Sequence, residues 1–173
     1  MTDWKSDKSW SDAYLPTVKA ILGQCLIGEA SREDDQERNT DLIVLKMDAV
    51  RIACRLRRPG YLDKYGHQFT IRFTRPSGVK SEFAKIIEGW GDYFFYGFAN
   101  EHPPVIDRWF VGDLKAFRLH VMMSMNKNGG RIPADDIPNE DGSSRFLAFK
   151  CQTMPKEFFV VSSRSPCPPP STV

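Results

Sequence analysis

Apolar residues recur at three- and four-residue steps across residues 11–26, through Tyr14, Leu15, Val18, Ile21, Leu22 and Cys25. That is the period of an amphipathic helix, and Pro16 falls in its first turn, where no amide donor is needed. Farther along, the period drops to two. Residues 50–58 alternate Val50, Ile52, Cys54 and Leu56 with Arg51, Ala53, Arg55 and Arg57, and residues 69–75 alternate Phe69, Ile71 and Phe73 with Thr70, Arg72 and Thr74. Both patterns predict strands with one apolar face. Residues 42–47, apolar except for Lys46, predict another strand. Met47-Asp48-Ala49 is short enough to join it to residues 50–58 as a hairpin, and Pro59-Gly60 closes the second of these strands.

The helical period returns at residues 80–88, where Phe83, Ile86, Ile87 and then Trp90 share a face and Gly89 suits the left-handed residue that ends a helix. Residues 93–99 are apolar on both alternating faces, which predicts a central strand covered on both sides. Residues 105–111 predict a further strand, and Asp113 caps a helix running to Gly129-Gly130. Gly, Pro, Asn, Asp and Ser crowd residues 129–144 and predict a long loop. Residues 145–151 and 158–161 predict short accessory strands, and the Pro-rich residues 162–173 a disordered tail. The expected fold is α/β, a mixed central sheet flanked by helices, in one domain over residues 1–161.

Composition adds limits. A chain of 173 residues, 41% hydrophobic, supports one sizeable core. Its net charge of +2 is too small to announce a nucleic-acid partner, so the distribution of charge has to carry that argument. Residues 29–41 are acidic, with Glu29, Glu33, Asp34, Asp35, Glu37 and Asp41 against Arg32 and Arg38. Residues 51–85 hold nine cations against Asp63 and Glu82 alone. Cys25, Cys54, Cys151 and Cys167 have no zinc-binding spacing, and His67, His102 and His120 form no nucleophilic or metal-binding pattern. Tyr93, Tyr96 and Trp90 lie in the most apolar stretch, where core packing outweighs base stacking as an expectation. Asn128-Gly129-Gly130 ends a helix and makes no phosphate loop. With no basic and apolar leader and no run long enough to cross a bilayer, the expected compartment is the cytoplasm, with no membrane partner.

Strand alternation sets Arg51, Ala53, Arg55 and Arg57 on one face, and if residues 69–75 lie alongside, Arg72 joins them. Together with Arg58 these are the candidate nucleic-acid-binding residues. A guanidinium donates two hydrogen bonds to phosphate in one plane, and a cluster gains from counterion release. The plainer reading of the same residues is a solvated sheet face.

The order of helix, acidic stretch, three strands, helix and central strand, together with Thr40-Asp41-Leu42-Ile43-Val44, resembles the PD-(D/E)XK nuclease superfamily over about residues 14–99. That resemblance implies a restriction-endonuclease-like core and a metal-dependent phosphodiesterase acting on DNA or RNA. It also implies Mg²⁺ or Mn²⁺ held by Asp41 and Glu29, or Glu37 as the upstream acid. Such a metal neutralises phosphate charge and generates hydroxide. Where the family carries a carboxylate-x-lysine, this chain reads Ala53-Cys54-Arg55, so the lysine has become arginine and the carboxylate is missing. An alternative register starting at Asp48 meets Gln68-Phe69-Thr70 or Thr70-Ile71-Arg72. Glu82 and Lys85 on the following helix are the substitutes the resemblance allows, and an ordinary i,i+3 surface pair is the plainer account of them. The stretches ERNTDLIVL, FTIR and EGWGDYFFYGFA are also similar to small uncharacterised proteins of tailed phages and prophages. That likeness opens a second expectation, a non-catalytic protein that binds or blocks a host protein or nucleoprotein.

Overall fold

The structure, a computed structural model, describes residues 4–29, 42–44, 50–74, 78–102, 104–139 and 142–163. The chain divides into two compact units, one mainly of Val50–Glu101 and Ile106–Val173, the other of Thr2–Ala49 and His102–Val105.

In the smaller unit the helix expected over residues 11–26 is two helices, α1 (Trp4–Asp12) and α2 (Leu15–Leu26), separated by a turn at Ala13 and Tyr14. Pro16 explains the break. A proline ring clashes with the carbonyl four residues earlier and restricts the residue before it, so a helix arriving from Trp4 stops at Asp12 and a new one starts. Tyr14, fully buried at the turn, packs its ring 5.1 Å from that of Trp10. Thr17 donates its hydroxyl to the Pro104 carbonyl at 2.9 Å. Two short antiparallel strands complete this unit, β1 (Ile27–Glu29) and β2 (Leu42–Val44), with Glu29 opposite Leu42.

The larger unit holds two sheets. Strands β3 (Ile52–Arg57), β5 (Tyr93–Ala99), β6 (Ile106–Asp113) and β9 (Phe159–Ser162) run in the order β3-β5-β6-β9. β3 is parallel to β5, and the other neighbours are antiparallel, so the sheet is mixed. The second sheet is antiparallel and ordered β4-β8-β7, from β4 (Gln68–Thr74), β8 (Arg145–Lys150) and β7 (Asp135–Pro138). Three helices accompany them: α3 (Tyr61–Tyr65), α4 (Glu82–Ile87) and α5 (Leu114–Lys127). Ser81 caps α4 by accepting from the Ala84 amide, and Gly89 follows it at φ 98°. Asp113 caps α5 by accepting from the amides of Lys115 and Ala116 at 2.7 and 3.0 Å. Phe83 and Ile86 of α4, and Leu114, Phe117 and Val121 of α5, are the buried positions of their helices.

These elements share one aromatic core. The Phe69 ring of β4 lies within 6.2 Å, centre to centre, of Phe94, Tyr96, Phe110, Phe117, Phe149 and Phe158. Gly112 admits the Phe158 ring, since a Cβ there would stand 2.5 Å from two of its carbons.

Three expectations are corrected. Residues 42–47, 50–58, 69–75 and 93–99 do not make one sheet. β3 and β5 pair as expected of neighbours in a sheet, but β4 joins β8, and β2 pairs with β1. Alternation specifies which face of a strand is buried and leaves its partner to the rest of the chain. The hairpin turn expected at residues 47–49 lies outside the described residues. Residues 129–144 are not wholly loop, because Asp135–Pro138 pairs with β8 although all four residues are exposed. This outer strand buries no side chain, so it leaves no hydrophobic signal, and Pro138, which lacks a donor, stands at its end. Finally, Ser162 belongs to β9 and the Ser163 amide bonds the Trp109 carbonyl, so neither is part of the tail expected from residue 162. Among the described residues, no helix is long and apolar enough to cross a membrane.

Candidate functional site

β3 is the outermost strand of its sheet, and so is β4 of the other. The register sets Arg55 opposite Tyr96 and Arg57 opposite Phe98, and since paired residues point the same way, both arginines face the side on which the core lies. The expected sharing of a face by Ala53, Arg55 and Arg57 holds. The face itself is not the solvated one, because neighbouring Tyr96 and Phe98 are core residues. Arg55 and Arg57 are half-buried at the rim of the core, next to β4.

The outer edge of β4 is bonded to side chains instead of another strand. The Thr70 amide donates to Tyr96 Oη at 3.3 Å, the Thr70 carbonyl accepts from Arg55 Nη1 at 3.2 Å, and the Arg72 amide donates to Glu82 Oε2 at 3.0 Å. Glu82 Oε2 also pairs with Arg55 Nη2 at 3.0 Å, in side chains only 21% and 15% exposed. Thr70 Oγ1 is the hub of the cluster, 3.4 Å from each of Arg55 Nη1, Arg57 Nη1 and Tyr96 Oη. Two guanidiniums share the ring of Phe146, with Arg55 and Arg72 at 5.3 and 5.5 Å from its centre. A third, Arg57, lies 4.3 Å from the centre of the Tyr61 ring. Burial pushes the Tyr96 phenol up from its ordinary value, outweighing Arg57, Thr70 and Arg55, which pull it down.

Among the described residues, three guanidiniums therefore lie together with the Glu82 carboxylate. The cluster brings together Arg55, Arg57 and Arg72 of the five candidate arginines, although β3 and β4 belong to different sheets. Arg51 is exposed at the other end of β3, where its amide donates to Asp92 Oδ2 at 2.8 Å. At about 3.3 Å per strand residue its backbone is roughly 13 Å from that of Arg55. Arg58 is exposed just past β3, its carbonyl accepting from the Tyr61 amide.

The candidate catalytic residues fare differently. Glu82 does not pair with Lys85: from the first turn of α4 its carboxylate meets Arg55 and the Arg72 amide, while Lys85 is exposed. The backbone of Glu29 lies in β1, and its side chain lies outside the described residues, as do Glu37 and Asp41. Glu82 does not fit a metal: its Oε2 accepts from two donors, one a guanidinium, in surroundings with a cationic surplus. Among the described residues no group of three or more His, Cys, Asp or Glu is placed to hold an ion. His67 and His102 are exposed, and burial lowers the pKa of His120.

Sequence reasoning missed Thr70, Phe146 and Tyr61. Thr70 carries no signal, because its role comes from lying on an outer edge. Tyr61 does carry one: Tyr61-Leu62-Asp63-Lys64-Tyr65 puts two tyrosines one helical turn apart, right after the arginine strand. Comparison with family models, with curated proteins and with solved structures finds no match.

Proposed function

We propose that this protein binds nucleic acid through its phosphate backbone, using the arginine rim where β3 meets β4. The observation that carries this reading is the convergence of Arg55 and Arg57 on Thr70, with Arg72 beside Arg55 at the Phe146 ring and Glu82 the one carboxylate shown in the cluster among the described residues. Half-buried guanidiniums in such surplus are held apart from bulk water, which strengthens their attraction for an anion. Arg57, held by Thr70 and the Tyr61 ring, and Arg72, at the Phe146 ring, are proposed as phosphate contacts beside Arg55, and exposed Arg51 and Arg58 add cationic surface at the two ends of β3.

A restriction-endonuclease-like core remains part of the proposal at the level of fold. It is supported by the parallel β3 and β5 with α4 between them in sequence, and weakened by the pairing of β4 with β8. The second reading, an interaction protein, has one observation behind it: Leu119, Met122 and Met123 of α5 are each more than half exposed. It ranks second because nothing on that ridge specifies an occupant.

The test is titration of labelled DNA and RNA at several salt concentrations. Arg57→Ala and Arg72→Ala should each weaken binding uniformly across sequences and lower the salt slope by about one. A parent protein that binds no oligonucleotide at low salt, or folded variants with unchanged affinity, would remove the rim as the site.

A further inference from the structure

Gly60, at φ 79°, turns the chain out of β3 and into α3, a five-residue helix with no buried residue. Its two tyrosines face the same way, with ring centres 5.6 Å apart and planes 33° from parallel. They are 38% and 39% exposed. The guanidinium of Arg57 lies over Tyr61 and bonds Thr70 Oγ1 through Nη1. Arg57, Tyr61 and Tyr65 are thus consecutive neighbours at the arginine rim, with the two rings tilted to each other and partly exposed. Holding Arg57 needs Tyr61 alone; Tyr65 adds a second exposed ring that the core does not use.

We infer that Tyr61 and Tyr65 are a stacking platform for unpaired bases, so that the ligand of the rim is single-stranded nucleic acid. The inference rests on the phosphate-binding reading above and narrows its ligand. A guanidinium over a ring still has N–H groups at its edge, so Arg57 can hold a phosphate while the exposed tyrosine surface beside it meets the attached base. Phosphate donor and aromatic surface are thus adjacent, the Arg57 guanidinium standing 4.3 Å from the centre of the Tyr61 ring. In a duplex the base faces are covered by their neighbours, and the tyrosines have nothing to stack on; in a single strand every base has a free face. Such a platform is tolerant of sequence, because stacking reads no hydrogen-bonding edge.

The experiment is anisotropy titration of the full chain at low salt with labelled oligothymidylate, oligouridylate and a blunt hairpin duplex. The single strands should bind at least tenfold more tightly than the duplex. Tyr65→Ala should cost about tenfold in single-strand affinity, with the salt slope and duplex affinity unchanged. Tyr65→Phe should bind like the parent, and because Tyr65 is exposed in a short helix, thermal melts should confirm that both variants fold. Arg57→Ala should instead lower the salt slope. Equal or tighter duplex binding, or an unchanged single-strand affinity in Tyr65→Ala, would overturn the platform and leave the phosphate rim standing. Absence of binding to all three probes would remove the rim, and the platform with it.

Discussion

Tyr96 of β5 satisfies part of the outer edge of β4. Its ring is core, while its hydroxyl accepts the otherwise open amide of buried Thr70 and meets the Thr70 hydroxyl. Removing that hydroxyl leaves a buried donor without a partner, so Tyr96→Phe should cost about 1–3 kcal/mol in urea unfolding despite conserving nearly all of the side-chain volume. The same group predicts an alkaline limit. Burial raises the phenol above its ordinary 10.0, so the folded chain keeps the proton where the unfolded chain has lost it. The stability tied to it is complete below pH 10 and falls as pH rises toward the folded value. Tyr14 is shifted the same way by burial and supplies a second share of the loss. Tyr96→Phe should therefore show a shallower decline above pH 10 than the parent; an identical decline in both would assign the effect elsewhere.

At the level of elements, β3 and β4 are two outer strands that do not pair with each other, because the arginines stand inward at their junction. Inward-pointing charge is one way that sheet edges avoid adding further strands. Here Arg55 satisfies the Thr70 carbonyl and neutralises Glu82, which in turn holds the Arg72 amide. Arg55→Ala should destabilise the fold by about 3 kcal/mol, since it leaves a mostly buried carboxylate unpaired, and should promote self-association visible by size exclusion. Stability and monomer content equal to the parent's would refute this sealing role. The helical periods of α2, α4 and α5, the alternation in β3 and β4 and the doubly apolar run of β5 were legible in the sequence; the helices, β4 and β5 bury apolar positions, whereas the core side of β3 carries Ala53, Arg55 and Arg57. The partner of β4 was not, since Phe69, Ile71 and Phe73 would suit any sheet offering an apolar face. Nor was β7, which buries no side chain. The arginines were legible as sharing a face. That this face lies toward the core followed only from β3 being outermost, a fact about strand order that no local pattern contains.

For the whole molecule the question is whether phosphate binding comes with phosphodiester cleavage. Cleavage by the metal-dependent route needs at least two carboxylates on one ion, or one carboxylate and the substrate's phosphate, with a group able to take a proton from water nearby. The described residues supply little of this. Ala53 stands where a ligand would be useful, Glu82 is committed to Arg55 and the Arg72 amide, and a guanidinium stays protonated and accepts no proton. The whole requirement would fall on Asp41 with Glu29 or Glu37, whose side chains lie outside the described residues. Binding through the arginine rim should therefore need no metal, and incubating end-labelled DNA and RNA with Mg²⁺ or Mn²⁺ tests cleavage separately. Their affinity should be the same in a chelator as in Mg²⁺ at matched ionic strength, because the contacts are made by arginine. Asp41→Asn should leave both affinity and thermal unfolding unchanged. Metal-dependent cleavage that disappears in Asp41→Asn, with folding and binding intact, would make the protein a nuclease, whereas affinity lost in the chelator would sink the metal-independent contact.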